Sequence, residues 1–274
     1  MEPFFFLFFI AFVWVLFAVV QDLKTQEIAN WLTFSLIAFV LAFRAIYSAV
    51  NQDITFFWWG VAGICVFIAL GYFFYYTGVF AGGDAKLLFG IGGIFPYFSW
   101  YDVLHYALIF NAVLFIGGII YSLGYSVFLI KQNTKKFSKL FLSEIKRLWF
   151  IIVLPLIAGL LIYYFLNDYD FRFAGFCIVL LPLLYVYAHS FEKSCMIVKV
   201  SPASLAEGDW LYRPVSVKGF KIKPSVHGLS YEDITFLRKN NKKVWIKKGI
   251  PFSPAFLIAL IATAFLFFGN FKFF

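Results

Sequence analysis

What most restricts this chain is a series of apolar segments, each long enough to cross a lipid bilayer. A hydrocarbon core about 30 Å thick takes roughly 20 residues of helix, and residues 4–20, 31–50, 56–76, 103–130, 148–166, 171–189 and 252–268 supply seven such runs. An eighth, 84–101, is interrupted by Gly90, Gly92, Gly93 and Pro96. Such breaks are tolerated in a membrane when neighbouring helices satisfy the freed backbone groups, so eight spans are predicted. Composition agrees. The 274 residues are 63% hydrophobic and 14% charged, with mean hydropathy +0.87, too little charge to coat a soluble domain of this size. The fold class is an all-α polytopic membrane protein, with the lipid bilayer as its solvent.

Basic residues orient the spans. With residues 21–30 placed in the cytoplasm and sides alternated from there, cytoplasmic segments hold 20 of the 23 Lys and Arg residues. The outer side holds only Arg44, Arg172 and Lys272. Cytoplasmic loops carry such an excess, so both termini are predicted outside, in a multi-pass plasma-membrane protein. Without the interrupted span, the basic 131–147 stretch would fall outside, so the charge pattern supports keeping it. The net charge of +9 therefore reflects topology, and no nucleic-acid partner is implied. Residues 131–147 read either as an amphipathic surface helix on anionic lipid or as a solvated loop.

The predicted layout is a transmembrane core over 1–130, the basic cytoplasmic loop 131–147, an added helix pair over 148–190, a soluble cytoplasmic domain over 191–250, and a final helix over 251–274. Within 191–250, alternation in Val215-Ser216-Val217-Lys218 and Lys243-Val244-Trp245-Ile246-Lys247 predicts strands. Turns are expected at Gly208-Asp209, Lys218-Gly219 and His227-Gly228. About 60 residues give such a domain little core of its own. Cys65 and Cys177 fall in apolar runs and Cys195 in a polar one. His105, His189 and His227 show no zinc-ligand spacing, so neither metal nor cofactor is expected. The start of the chain lacks a basic n-region and reads as a retained span, not a removed leader.

Topology disposes of most of the fourteen acidic residues. Asp53, Asp102, Asp168 and Asp170 sit in outer loops, while Glu207, Asp209, Glu232 and Asp233 suit a soluble surface or helix caps. Asp22 and Asp84 differ. Asp22 directly follows the first apolar run, and Asp84 opens the interrupted one after Gly82-Gly83; both are predicted at one cytoplasmic depth. Two neighbouring carboxyls that share a proton provide a base to activate water and an acid to polarise a carbonyl. Gly82 and Gly83 would let a peptide backbone come close. Lys24 and Lys86, each two residues past an aspartate, would bias carboxylate titration or simply anchor at the interface. A cap or solvated boundary is the commoner role of an aspartate at a helix end, and spacing alone does not decide for the pair.

Resemblance decides between them. The segment Ala81-Gly82-Gly83-Asp84-Ala85-Lys86-Leu87-Leu88 resembles the G-x-G-D-x-K-L stretch of the prepilin and preflagellin (archaellin) peptidases. Asp22-Leu23-Lys24 with Ile28-Ala29-Asn30 resembles their other catalytic block. The likeness covers about the first 130 residues, and 248–255 is similar to archaeal members. It implies a membrane aspartic endopeptidase with Asp22 and Asp84 as catalytic residues, supported by Gly82, Gly83, Lys24, Lys86 and Asn30. Its implied substrates are pilin-like or archaellin precursors with class III signal peptides, cut at the cytoplasmic membrane face. Ala81 and Ala29 stand where the family has glycine and proline. The added helix pair exceeds the six spans of compact archaeal members, and the cysteine cluster linked to N-methylation in bacterial enzymes is absent, so no methyltransferase activity is expected.

A presenilin-like intramembrane protease also uses G-x-G-D. Its partner Tyr-Asp pair would here be Tyr101-Asp102 or Tyr169-Asp170, on the wrong side. Gly124-Tyr125-Ser126 suggests a serine nucleophile only superficially, and Ser126 reads as a packing residue. A transporter or scaffold would suit a broken span but lacks midplane charge. A basic leader meeting a basic surface leaves Glu27, Asp209, Glu232 and Asp233 as candidate acidic contacts.

Overall fold

The computed structural model describes residues 2–165, 169–217, 220–225 and 228–269. The chain divides into two compact units, Met1–Gly124 with Ile250–Phe274, and Tyr125–Gly249. In chain order the helices are α1 (Glu2–Thr25), α2 (Asn30–Asn51), α3 (Thr55–Tyr76), α4 (Gly82–Ile91), α5 (Trp100–Gln132), α6 (Thr134–Arg147), α7 (Trp149–Phe165), α8 (Tyr169–Phe191), α9 (Tyr231–Lys239) and α10 (Ser253–Phe268). The strands are β1 (Ile197–Val200), β2 (Trp210–Leu211), β3 (Val215–Val217), β4 (Phe220–Ile222) and β5 (Val244–Lys247).

The polytopic helical class is as expected, but the count of eight spans is not confirmed. Helices α1, α2, α3, α5 and the stretch Arg172–Met196 are long and apolar enough to cross a membrane. Helices α6 and α7 meet at a 69° bend and add a sixth only if taken as one span, while α10 is a shorter apolar helix. The interrupted run is no full helix. Helix α4 has 10 residues, about 15 Å of rise, and then unwinds through three-residue turns in which the N–H groups of Gly92, Gly93 and Ile94 donate to Phe89, Gly90 and Ile91. Its composition explains this, since successive glycines and a proline remove side-chain support and a donor.

The first unit is built around that broken segment. Leu87, Leu88 and Ile91 of α4 are buried with Leu36 and Val40 of α2 and Ile64 and Phe67 of α3. The backbones of α3 and the unwound segment touch. A Cβ on Gly92 would lie 2.7 Å from the Gly63 carbonyl, and one on Gly63 would collide with the Tyr97 ring. The freed carbonyls find an internal cation. Arg44 of α2, fully buried, donates through Nε to Gly93, Nη2 to Phe95 and Nη1 to Phe56, each at 2.6 Å. Its guanidinium also lies 4.5 Å from the Phe56 ring centre. The sequence reading counted Arg44 with the outer-side charges; the structure adds that it is an internal clamp, and the rule that broken backbone must be re-satisfied inside a bilayer accounts for it. Helix α10 closes the unit beside α1, with Phe5 stacked on Phe268 and Phe8 on Phe267. On α5, Gly117 and Gly118 receive Ile258 and Phe252.

The second unit joins helices to a small sheet. Helices α7 and α8 pair, and Ser126 at the end of α5 exchanges a 2.5 Å hydrogen bond with Tyr187 of α8, a packing role. Residues 134–147 form α6, the helical one of the two forms the sequence offered. The three strands order as β1-β5-β2, all antiparallel, and β3 pairs with β4. The sheet and α9 enclose Leu211, Ile234, Leu237, Val244 and Ile246. Helix α9 starts with a reciprocal cap, Ser230 accepting from the Asp233 N–H while Asp233 accepts from the Ser230 N–H. The strands expected around Val215 and Val244 are β3 and β5. The turn Lys218-Gly219 and residues His227, Asp168 and Lys272 lie outside the described residues.

Candidate active site

Two chain segments meet at one end of the first unit. On α1, Val15, Ala18, Val19 and Asp22 share the inward face, as helical spacing dictates. Asp22 is thus carried inward although three residues later the helix ends, and it is buried at 6% exposure. The Gln26 N–H donates to the Asp22 carbonyl and Gln26 takes φ 58°, which turns the chain back. The Gln21 side chain then holds the return, its Oε1 accepting from the Ala29 N–H at 3.1 Å. Helix α2 starts at the next residue, Asn30.

Asp84 occupies the first turn of α4, whose N-cap Ala81 is extended. It is buried at 8% exposure, and its carboxyl reaches back to the Ala81 backbone. The loop after α1 and the start of α4 touch directly. Ile28 packs on Gly83, where a Cβ would come 3.1 Å from the Ile28 Cβ. The Lys86 ammonium donates to Asn30 Oδ1 at 2.6 Å. Asp22 and Asp84 lie close enough for the charge of one to act on the other.

Of the residues singled out in the sequence, Asp22, Asp84, Gly83, Lys86 and Asn30 are brought into one cluster. Gly82 is near it but open, with Tyr75 at 3.8 Å from a notional Cβ. Lys24 is exposed, and among the described residues no hydrogen bond or ion pair is recorded that ties it to the others.

Two participants escape the sequence. Gln21 fixes the loop. Ser253, the first residue of α10, donates its backbone N–H to Asp22 Oδ2 at 3.2 Å. The first N–H groups of a helix have no partner within it and carry partial positive charge, so the start of α10 supplies Asp22 with an anion-stabilising donor. Ser253 itself is fully buried, and among the described residues its Oγ has no hydrogen-bond partner. The one available signal was the Lys248–Ala255 stretch, whose likeness to archaeal members stopped short of a role. Among the described residues no three His, Cys, Asp or Glu side chains gather as a metal would need.

The chemistry this permits follows from the surroundings. Two carboxyls withdrawn from water, with the charge of one acting on the other, ionise together only at a cost. Asp84 lies in the first turn of its own helix, and Asp22 receives the Ser253 N–H at the start of α10.

Comparison with known proteins follows the same two segments. Residues 9–122, which include both aspartates, match the type IV leader peptidase family. A preflagellin peptidase of Methanocaldococcus jannaschii is 30% identical over 92 residues, covering 34% of this chain and 39% of that protein. A preflagellin peptidase of Methanococcus maripaludis is 31% identical over 116 residues, covering 39% of this chain and 50% of that protein. The chain thus spans half or less of the length of these curated relatives. No solved structure matches. Through its first five helices, the chain is similar to the type IV leader peptidases.

Proposed function

We propose that this protein is a membrane aspartic endopeptidase that removes the short basic leader from archaellin or pilin-like precursors. The observation that carries this is the meeting of Asp22 and Asp84, two buried carboxyls from separate helices, inside the segment similar to leader peptidases. In this reading one of the two carboxyls, as the carboxylate, takes a proton from a water molecule as its oxygen attacks the scissile carbonyl. The other, protonated, donates a hydrogen bond to that carbonyl. Collapse of the tetrahedral adduct breaks the C–N bond, and the leaving nitrogen takes up a proton from the carboxyl pair.

The supporting residues have separate tasks. Lys86 and Asn30 hold the two aspartate-bearing segments together. Gly83 allows Ile28 to close over them, and open Gly82 leaves room for extended substrate backbone. Glu27, exposed in the loop between Asp22 and Asn30, is the acid best situated to meet a basic leader. Asp233 is engaged in capping α9, and Asp209 accepts from the Ala206 N–H. The charge asymmetry supports a site on the cytoplasmic side with both chain termini outside.

Mass analysis of products tests the substrate assignment. A precursor with a short basic leader should be cut once, just before its hydrophobic segment. Cleavage within that segment would replace this reading with intramembrane proteolysis.

A further inference from the structure

The second unit contains a cleft of about 420 Å3 that the peptidase reading does not use. Three cations line it, Lys136 of α6, Lys193 in the π-helical turn after α8, and Arg213 after β2, together with the rings of Tyr212 and Trp245. Lys199 adds a fourth positive charge, its ammonium 5.9 Å from the Trp245 ring centre. Among the described residues no carboxylate lines the cleft. Of the nearby acids, Glu144 pairs with one of the cleft's cations, Lys193, and Glu192 with a lysine outside the lining. Glu144 is held by Arg147 at 2.7 Å and Lys193 at 2.9 Å, and Glu192 by Lys247 at 3.0 Å.

Lys193 is neutralised by Glu144, but Lys136, Arg213 and Lys199 form no ion pair among the described residues, and an anion among them relieves their mutual repulsion. The donors to hold one are free. Lys136 gives one N–H to the Ser194 carbonyl and Lys193 one to Glu144, which leaves each ammonium two more. The exposed Arg213 guanidinium lies against the Tyr212 ring, and its planar fork suits phosphate oxygens. The volume is ample for a small polar group.

Position in the unit identifies the source of that phosphate. The apolar stretch Arg172–Met196 is a candidate membrane span, and Lys193 sits in its last turn, where headgroups meet a spanning helix. Helix α6 beside it carries Lys135, Lys136, Lys139, Lys146 and Arg147 along with exposed Leu142, the make-up of a helix lying in an anionic interface. Tyr and Trp rings concentrate at that depth. We propose that this cleft binds the phosphate headgroup of one anionic phospholipid. The proposal is independent of the peptidase reading.

The test uses the full chain, delipidated in detergent, and native mass spectrometry to count bound lipid. Phosphatidylglycerol should be retained as a single copy at concentrations where phosphatidylcholine of the same acyl chains is not. Arg213→Gln should weaken that retention severalfold, and Lys136→Gln with Arg213→Gln roughly tenfold or more. Arg213 is exposed and among the described residues touches only the Tyr212 ring, so its single variant should fold. Lys135→Gln with Lys139→Gln, which removes the same charge from α6 outside the cleft, should leave retention unchanged. Equal retention of phosphatidylcholine, or equal loss in both double variants, would overturn the proposal. Displacement by glycerol 3-phosphate as effective as by phosphatidylglycerol would also overturn it, since the site would then serve a free phosphate.

Discussion

Replacing Arg44 with Met should weaken the first unit more than any surface change. Three carbonyls, of Gly93, Phe95 and Phe56, accept 2.6 Å hydrogen bonds from one guanidinium. Bonds to a charged group contribute about 1.5–3 kcal/mol each, so the gross loss is on the order of 5–9 kcal/mol. Removing a buried cation returns several kcal/mol of desolvation. The difference is a net loss of roughly 3 kcal/mol, with two of the three orphaned acceptors in the unwound segment that follows Asp84's helix. Thermal unfolding in detergent should show a midpoint lower by on the order of 5–10 °C. Arg44→Lys should recover only part, because a single ammonium cannot serve three carbonyls as the planar fork does. Precursor cleavage should fall in parallel although Arg44 touches neither aspartate. An Arg44→Met protein as stable as the parent would refute the view that this arginine stabilises the broken segment.

Three further outcomes are expected. Gly83→Ala, whose Cβ meets Ile28 at 3.1 Å, should reduce cleavage and cost about 1–2 kcal/mol, whereas Gly82→Ala, in open space, should fold at least as well as the parent; parallel melting curves and cleavage rates separate them. Glu27→Lys should raise KM for a basic-leader precursor severalfold while kcat holds, and an unchanged KM would remove Glu27 from leader recognition. Glu144 is held below the usual carboxylate range by the Lys193 hydrogen bond, with Arg147 and His189 adding to the pull against burial. Its contribution is therefore full above the unfolded value of about 4.3 and fades as pH falls through the lower folded value. Glu144→Gln should melt on the order of 5 °C below the parent at pH 7, and that gap should narrow below pH 4.

Long helices were legible because hydrophobicity over twenty residues is a collective signal that local detail barely disturbs. Strands β3 and β5 were legible from alternation, and Asp22 and Asp84 stood out as acids at the ends of apolar runs, with resemblance needed to single them out as a pair. What stayed hidden depends on contacts between distant parts of the chain. Asp22 and Ser253 are 231 residues apart, and a backbone N–H has no residue identity to read. Arg44 looked like a boundary charge since nothing local says that Gly93 and Phe95 will need a donor. The same holds for Glu144, whose partners His189 and Lys193 come from the far end of α8 and its π-helical extension. Helix α4 was overestimated because hydropathy carries apolar content through glycines that end the helix.

The most direct measurement is cleavage of an archaellin or pilin-like precursor by the purified protein, beside Asp22→Asn and Asp84→Asn. Both variants keep size and hydrogen-bonding capacity, so melting curves should show them folded. The account predicts one cut before the hydrophobic segment by the parent protein and a loss of at least a thousandfold in each variant, since neither carboxyl can replace the other. Near-parental cleavage by either folded variant would contradict the paired-carboxyl mechanism.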